Sequence, residues 1–204
     1  MNNYLLVGNS SKKLKLIKDL SYKFFIMKKI DKCIVFTNKF NIDYYNFIDE
    51  IVYDNNQILK VTKQIIIDIN DNNKYKNKKI LLIFDDIKYN ILLTTNIIDI
   101  LKKNKNICVI MSTTYNDNLK IIQKIFNYIY IIDNNIIHLQ QIYELYINKN
   151  IKYDIFIKNF DIIKDNICIV IQNKKYFWQN YILFYKINNI INKFKIKNLL
   201  LNNK

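Results

Sequence analysis

The chain has 204 residues and half of them are apolar, which is enough for one domain with a substantial core and argues against a disordered chain. Lysine and arginine together number 32 against 17 acidic residues, for a net charge of +15. Arginine is in fact absent, as are alanine and proline, and this argues against a surface that reads bases through the arginine fork. No apolar run is long enough to span a bilayer and no signal peptide is visible, so we expect a soluble, intracellular protein that is not secreted.

The basic charge has two explanations, and both stay open. Lysine attracts phosphate without regard to sequence, which favours a nucleic-acid partner. The missing residue types are mostly those with G- or C-rich codons, so an A+T-rich genome also explains much of the lysine excess. The three cysteines, Cys33, Cys108 and Cys168, each lie in or beside an apolar run. This favours buried thiols in a reducing compartment over a disulfide framework or a zinc site.

The order of elements predicts an α/β fold. Short apolar runs predict strands at Tyr4–Val7, Cys33–Phe36, Ile51–Tyr53, Ile80–Phe84, Ile107–Met111, Tyr128–Ile132 and Ile167–Ile171. Helical spacing predicts helices from Leu14 to about Lys29, then at Gln57–Ile69, Ile91–Leu101, Leu119–Phe126 and Ile137–Ile147, and a closing Lys/Asn-rich helix. Strands that are apolar at every residue belong in sheets covered on both faces. We therefore predict a doubly wound, mostly parallel sheet in a single domain of residues 1–204, with a core of about 3–133 and an extension of about 134–204.

An acidic pair closes one of these continuous apolar runs. Asp85 and Asp86 directly follow Ile80–Phe84. In P-loop ATPases this arrangement is the Walker B element, in which the first acid holds Mg²⁺ and the second polarises the attacking water. The alternative is an ordinary turn, since Asp is a favoured turn residue.

A polar turn follows the first strand and leads into the first helix. It contains Gly8, Ser10, Ser11, Lys12 and Lys13. A phosphate-binding loop reads G-x-x-x-x-G-K-[S/T], because its glycines let backbone N–H groups face the phosphates. This turn lacks the second glycine and a hydroxyl directly after its lysines, and it is about one residue short. It is either a degraded phosphate site at a helix N-terminus or a plain polar β–α turn.

Four segments together resemble the genome-packaging ATPases of poxviruses and other large DNA viruses, a branch of the FtsK–HerA superfamily. They are Val35–Asn38 with Asn41 and Tyr44–Tyr45, Leu81–Asp86, Ile107–Tyr115, and Tyr176–Trp178 with Tyr181. The likeness covers roughly residues 3–133 in order and 167–185 more faintly. It implies a P-loop NTPase fold, ATP and Mg²⁺ as cofactors, double-stranded DNA as substrate, a homo-oligomeric ring, and viral assembly proteins as partners in the host cytoplasm or the virion.

The resemblance also implies roles for individual residues. Asp85 would hold the metal, Asp86 would activate water, and Thr113 (Thr114 in a shifted register) would sense the γ-phosphate. The nucleotide would be held by Gly8, Ser10, Ser11, Lys12 and Lys13, with one of the two lysines on the β- and γ-phosphates. The family's arginine finger falls near Gln123–Lys124, where Lys124 is a partial substitute. An ATPase, an inactive relative serving as a structural partner, and a basic nucleic-acid-binding protein with no nucleotide site therefore all stay open.

Three other features have simpler interpretations. His138, the single histidine, is expected to be a packed or surface helix residue rather than a catalytic one. The aromatic stretch Tyr176–Trp178 with Tyr185 suits a core or a subunit contact better than a stacking platform for nucleic acid. The segment Lys186–Lys204 is expected to pack as an amphipathic helix, with DNA or a membrane surface as the alternatives.

Overall fold

The computed structural model of the chain describes most of the predicted elements. It describes residues 3–8, 12–28, 30–38, 45, 48, 50–52, 54–70, 78–87, 91–103, 105–113, 125–132, 136–146, 152–158, 167–172 and 181–187. Ser10, Ser11, Thr114, Lys124 and the aromatic stretch Tyr176–Trp178 lie outside these ranges.

Within the described ranges, eight strands form one mixed sheet flanked by helices, which confirms the predicted α/β fold class. The strands are β1 (Tyr4–Val7), β2 (Lys32–Thr37), β3 (Glu50–Val52), β4 (Ile80–Asp85), β5 (Ile107–Thr113), β6 (Tyr128–Ile131), β7 (Ile167–Gln172) and β8 (Tyr181–Lys186). Their order in the sheet is β3-β2-β4-β5-β1-β6-β7-β8. The recorded pairs β1 with β6, β2 with β3 and β2 with β4 are parallel, whereas β6 with β7 and β7 with β8 are antiparallel.

The helices lie close to their predicted positions. They are α1 (Lys12–Lys28), α2 (Asn55–Asn70), α3 (Ile91–Lys103), α4 (Ile136–Tyr146) and α5 (Tyr153–Lys158). Helix α1 begins at Lys12, two residues before the start predicted from the apolar spacing, so both candidate lysines lie in its first turn. The helix predicted at Leu119–Phe126 falls mostly outside the described residues. Of the segment predicted as a closing helix, Lys186 is the last residue of strand β8, and residues 188–204 lie outside the described ranges.

Two compact units can be distinguished in the described part of the chain. The first runs from Ile17 to Met111, and the second comprises residues up to Leu16 together with those from Ser112 onward. The prediction of a single domain over residues 1–204 stays a prediction.

The first unit is built around strands without polar alternation. Every residue of β4 is buried, and so is every residue of β5 up to the unit boundary at Met111. Strands β2 and β4 pair in parallel with Thr37 opposite Asp85, so the two polar residues that end these strands are neighbours in register. Helices α2 and α3 are joined by a hydrogen bond of 3.2 Å from the Asn96 side-chain amide to the Thr62 hydroxyl. A strand buried on both faces holds its last side chain in one place, which is what a binding residue requires.

The second unit has an aromatic face. Tyr4 of β1 stacks on Tyr128 of β6 with ring centroids 5.3 Å apart, and Tyr130 meets Tyr185 of β8 edge-on at 5.4 Å. Gln172 of β7 donates a hydrogen bond of 3.3 Å to the Tyr128 hydroxyl. These contacts tie the antiparallel strands β7 and β8 to the parallel pair β1 and β6.

Cys33, Cys108 and Cys168 are buried free thiols, as the apolar runs around them predict. None of the helices within the described ranges is long and apolar enough to cross a membrane.

Candidate functional site

The acidic pair lies where the sequence predicts it, at the carboxyl end of β4. Asp85 is the last residue of the strand and its exposed fraction is 1%, whereas Asp86 is partly exposed. Asp86 has φ = 51°, in the left-handed region that non-glycine residues seldom occupy. Aspartate tolerates this conformation better than most residues, yet it still carries strain. The chain therefore turns sharply after Asp85 and places two carboxylates of different exposure side by side.

A buried tyrosine contacts the first of these carboxylates. The Tyr45 hydroxyl donates a hydrogen bond to Asp85 Oδ2, and the exposed fraction of Tyr45 is 1%. Burial raises the pKa of the Tyr45 hydroxyl above its ordinary value, and the Asp85 carboxylate raises this pKa further. A hydrogen bond with the Thr37 side chain opposes the rise in pKa, as a bond donated by the threonine to the tyrosine oxygen does. The Tyr45 hydroxyl therefore keeps its proton and acts as a donor to Asp85.

Aromatic packing fixes the ends of the strands that carry these groups. Phe36 and Phe84 stack with ring centroids 4.7 Å apart, and both are completely buried. They directly precede Thr37 and Asp85 and lie opposite each other in the β2–β4 register. Because the two rings cannot shift independently, the polar residues that follow them keep their relative position.

The phosphate-loop candidates begin at the single glycine of the chain. Gly8 follows β1 with φ = 135°, a conformation that a side chain with a Cβ atom would strain. Its backbone N–H donates a hydrogen bond of 3.1 Å to the carbonyl oxygen of Thr113, the last residue of β5. The structure therefore brings Gly8 and Thr113 together. It also supplies a physical reason for glycine at this position.

The two lysines of the turn differ in exposure. Lys13 is buried, with an exposed fraction of 4%, whereas Lys12 is half-buried and Lys15 on the same turn of α1 is exposed. The first turn of a helix has N–H groups without helical partners and the positive end of the helix dipole, so it attracts anions. A buried ammonium group in that turn adds a positive charge with little water around it. An anion bound there would stabilise both the N–H groups of the first turn and the ammonium group of Lys13.

The donor groups suit Mg²⁺ and a nucleoside triphosphate. Mg²⁺ prefers oxygen ligands and keeps several waters, so it uses one or two carboxylates with phosphate oxygens rather than a cage of protein groups. The pair Asp85 and Asp86 fits that demand, and no cluster of three or more His, Cys, Asp or Glu side chains occurs in the described ranges. The glycine turn and the buried Lys13 suit the phosphates. His138 lies on α4, away from these elements in the sequence.

Sequence reasoning missed one partner of the acidic pair. Tyr45 was noted only as part of the segment Tyr44–Tyr45, whereas the structure places its hydroxyl on Asp85. The two residues are 40 positions apart, so no local spacing links them. The available signal was indirect, since a buried carboxylate needs a hydrogen-bond donor and an aromatic hydroxyl is one of few that fit among apolar side chains.

Comparisons with known proteins give the fold. No family model matches the sequence, and no curated protein sequence matches it significantly. Among solved structures, B204, the DNA-packaging ATPase from Sulfolobus turreted icosahedral virus, superposes with a TM-score of 0.66 over 92% of this chain and 98% of that one, at 17% identity. The genome-packaging NTPase B204 from Sulfolobus turreted icosahedral virus 2 in complex with AMPPCP gives a TM-score of 0.64 over the same shares, at 16% identity. The cytoplasmic domain of EssC gives a TM-score of 0.54 over 91% of this chain and 39% of that one, at 12% identity.

The chain has the fold of these packaging NTPases. The likeness extends over nearly the whole of B204, and it confirms the α/β fold of P-loop NTPase type predicted from the sequence.

Proposed function

We propose that this chain is an ATP-driven genome-packaging ATPase of a large DNA virus, a motor subunit that moves double-stranded DNA. One observation carries the proposal. The chain has the fold of B204, and its completely buried strand β4 ends at Asp85, with Asp86 directly after it. Adjacent acids in that position are the groups with which P-loop ATPases hold Mg²⁺ and orient water.

The two acids take different roles because their surroundings differ. Asp85 is buried and hydrogen-bonded, so its carboxylate is held in one orientation and suits the hydration shell of Mg²⁺. Asp86 is partly exposed and its backbone turns away from the strand, so it suits contact with a water molecule. Bound Mg²⁺ would neutralise charge on the β- and γ-phosphates during transfer.

The residues after β1 take the phosphates. Lys13 is the better candidate of the two lysines, because it is buried in the first turn of α1 while Lys12 is more exposed. Gly8 supplies the backbone turn, and Ser10 and Ser11 add polar groups in the segment between them. Thr113 pairs with Gly8 and is buried, so its hydroxyl suits a role in sensing the γ-phosphate.

The proposed partners follow from charge and likeness. The net charge of +15 supports a polyanionic partner, and lysine attracts phosphate without reading sequence, which suits a motor that must move any DNA. We include a homo-oligomeric ring and viral assembly proteins in the proposal, with the poxviruses and their relatives as the source group, because the sequence motifs resemble that branch.

One observation favours an inactive relative as the second candidate. The turn after β1 has no second glycine, and Leu14 rather than a hydroxyl residue follows Lys13. A chain that kept the fold but lost phosphate binding would serve as a structural partner in assembly.

DNA-stimulated ATP hydrolysis distinguishes these functions. The full chain is assayed with Mg²⁺, with and without double-stranded DNA, beside Asp85→Asn and a control, Asp99→Asn, which alters a partly exposed aspartate of α3. We expect turnover that DNA stimulates, that Asp85→Asn abolishes and that Asp99→Asn leaves unchanged. If the chain binds DNA but neither binds nor hydrolyses ATP, the proposal is contradicted in favour of a basic nucleic-acid-binding protein. If the chain neither binds DNA nor hydrolyses ATP, the result favours the structural partner.

A further inference from the structure

We propose that Tyr45 is a positioning residue for Asp85, fixing the carboxylate in the orientation that a divalent cation requires. This inference rests on the proposed function, because it takes Asp85 as the carboxylate that serves Mg²⁺. It concerns a residue outside the acidic pair and outside the phosphate turn. Tyr45 lies between β2 and β3, in a part of the chain 40 positions from the acid that it contacts.

The geometry around the carboxylate carries the proposal. Asp85 and Tyr45 are each 1% exposed, and the Tyr45 hydroxyl donates directly to Asp85 Oδ2. The carbonyl oxygen of Tyr45 in turn accepts a hydrogen bond of 3.0 Å from the backbone N–H of Ile48, which fixes the local backbone. The tyrosine is therefore held at both its main chain and its side chain.

A third group orients the tyrosine itself. Thr37 is completely buried at the end of β2, opposite Asp85 in the parallel register, and its side chain is hydrogen-bonded to Tyr45. The hydroxyl of Tyr45 thus lies between a threonine that donates and a carboxylate that accepts. Thr37 fixes where the phenolic oxygen lies, and the phenolic hydrogen fixes the plane of the carboxylate.

Such an arrangement matters for Mg²⁺ more than for Ca²⁺, whose coordination geometry is more flexible. Mg²⁺ demands near-octahedral geometry, so a carboxylate that rotates freely serves it poorly. Residues that hydrogen-bond a metal-binding carboxylate commonly change metal affinity by 10–100-fold when they are removed. In a P-loop, the hydroxyl residue that follows the lysine binds Mg²⁺. The turn after β1 has Leu14 at that position, so more of the cation's positioning depends on Asp85.

The test measures cation binding directly. Mn²⁺ replaces Mg²⁺ as a spectroscopic probe, and its binding to the full chain with AMPPCP is followed by electron paramagnetic resonance. We expect Tyr45→Phe to raise the half-saturating Mn²⁺ concentration by about 10-fold. Binding of AMPPCP in the absence of metal should stay unchanged, because Tyr45 acts on the carboxylate that serves the cation.

A matched control separates this effect from the loss of any tyrosine hydroxyl. Tyr128→Phe removes a hydroxyl that accepts a hydrogen bond from Gln172 on another part of the sheet. This variant should bind Mn²⁺ as the native chain does. Thr37→Val should raise the half-saturating concentration by less than Tyr45→Phe, and Thr37→Ser, which keeps the hydroxyl, should restore native binding.

The outcomes distinguish this inference from the proposed function. If Asp85→Asn abolishes cation binding while Tyr45→Phe and Thr37→Val bind Mn²⁺ as the native chain does, the inference is wrong and the proposed function stands. If the native chain binds neither Mn²⁺ nor AMPPCP, the proposed function fails and the inference fails with it. Should Tyr45→Phe not fold by circular dichroism, Thr37→Val decides, and unchanged Mn²⁺ binding in that variant overturns the inference.

Discussion

The carboxyl ends of β4 and β1 carry the two halves of the proposed chemistry, and they differ in what they require of the sequence. At the end of β4 stand two acids, and the strand is completely buried. Thr37 hydrogen-bonds to Tyr45, which in turn donates a hydrogen bond to Asp85, the first of the two acids. At the end of β1, one glycine, one buried lysine and a hydrogen bond to Thr113 are what the described residues offer.

The two strand ends differ because the carboxylate site depends on side chains, whereas the phosphate turn depends on backbone conformation. A carboxylate site needs the right side chains at the end of a rigid strand, and Asp, Tyr and Thr are all present in this sequence. A phosphate loop needs backbone conformations that glycine supplies, and this chain contains a single glycine. That glycine stands at φ = 135° directly after β1. The single glycine of the sequence therefore stands at a position whose backbone conformation favours it.

The largest expected effect concerns the second acid. Asp86→Asn should lower ATP turnover by about 100-fold or more, the usual contribution of a group that handles a proton in the transition state. Asp54→Asn is the matched control, because Asp54 also has a left-handed backbone, with φ = 55°, and is exposed. Steady-state turnover with DNA checks both variants. Equal turnover in the two would remove Asp86 from the chemistry.

The next effect concerns the phosphate half. Lys13→Met keeps the apolar stem and removes the buried charge, so ATP should bind about 10- to 100-fold more weakly, the equivalent of one charge-assisted hydrogen bond. Lys15→Met makes the same change at an exposed position on the same helical turn and should bind ATP as the native chain does. Calorimetric titration measures both. A loss in Lys15→Met as large as that in Lys13→Met would mean that general charge, not a site, attracts the nucleotide.

The sequence predicted the strands that are apolar throughout and missed the elements that are not. Short runs such as Ile80–Phe84 are typical of strands in a sheet that is covered on both faces, and β4 is such a strand. Strand β8 was not predicted, because its sequence, YILFYK, follows an aromatic stretch and leads into a Lys/Asn-rich segment with helical spacing. Helix α5 was not predicted, because its six residues are too few to show a helical spacing of apolar side chains.

The candidate site divides in the same way. Asp85 and Asp86 were predicted because a strand and a turn are local features. The left-handed conformation of Asp86 and the bond from Tyr45 were not, because the first depends on how the chain leaves the sheet and the second joins residues 40 positions apart. The burial of Lys13 was not predicted either, because the apolar spacing places the start of α1 at Leu14 and leaves both lysines outside the helix.

A smaller effect is expected on stability at the glycine. Gly8→Ala forces a Cβ atom into a conformation with φ = 135° and should lower the free energy of unfolding by about 1–3 kcal/mol. Urea denaturation followed by circular dichroism measures the change. Unaltered stability would mean that the backbone at residue 8 relaxes readily, and the structural reason for its glycine would be lost.

The proposed function requires one claim above all, that the chain binds a nucleotide through Lys13 and a divalent cation through Asp85. The most direct measurement is calorimetric titration of the native chain with ATP and Mg²⁺, beside Lys13→Met and Asp85→Asn. The account predicts one binding site in the native chain, weak binding in Lys13→Met with or without Mg²⁺, and loss of only the Mg²⁺-dependent part in Asp85→Asn. An absence of heat in the native chain at millimolar ATP, with the protein folded, would contradict the claim.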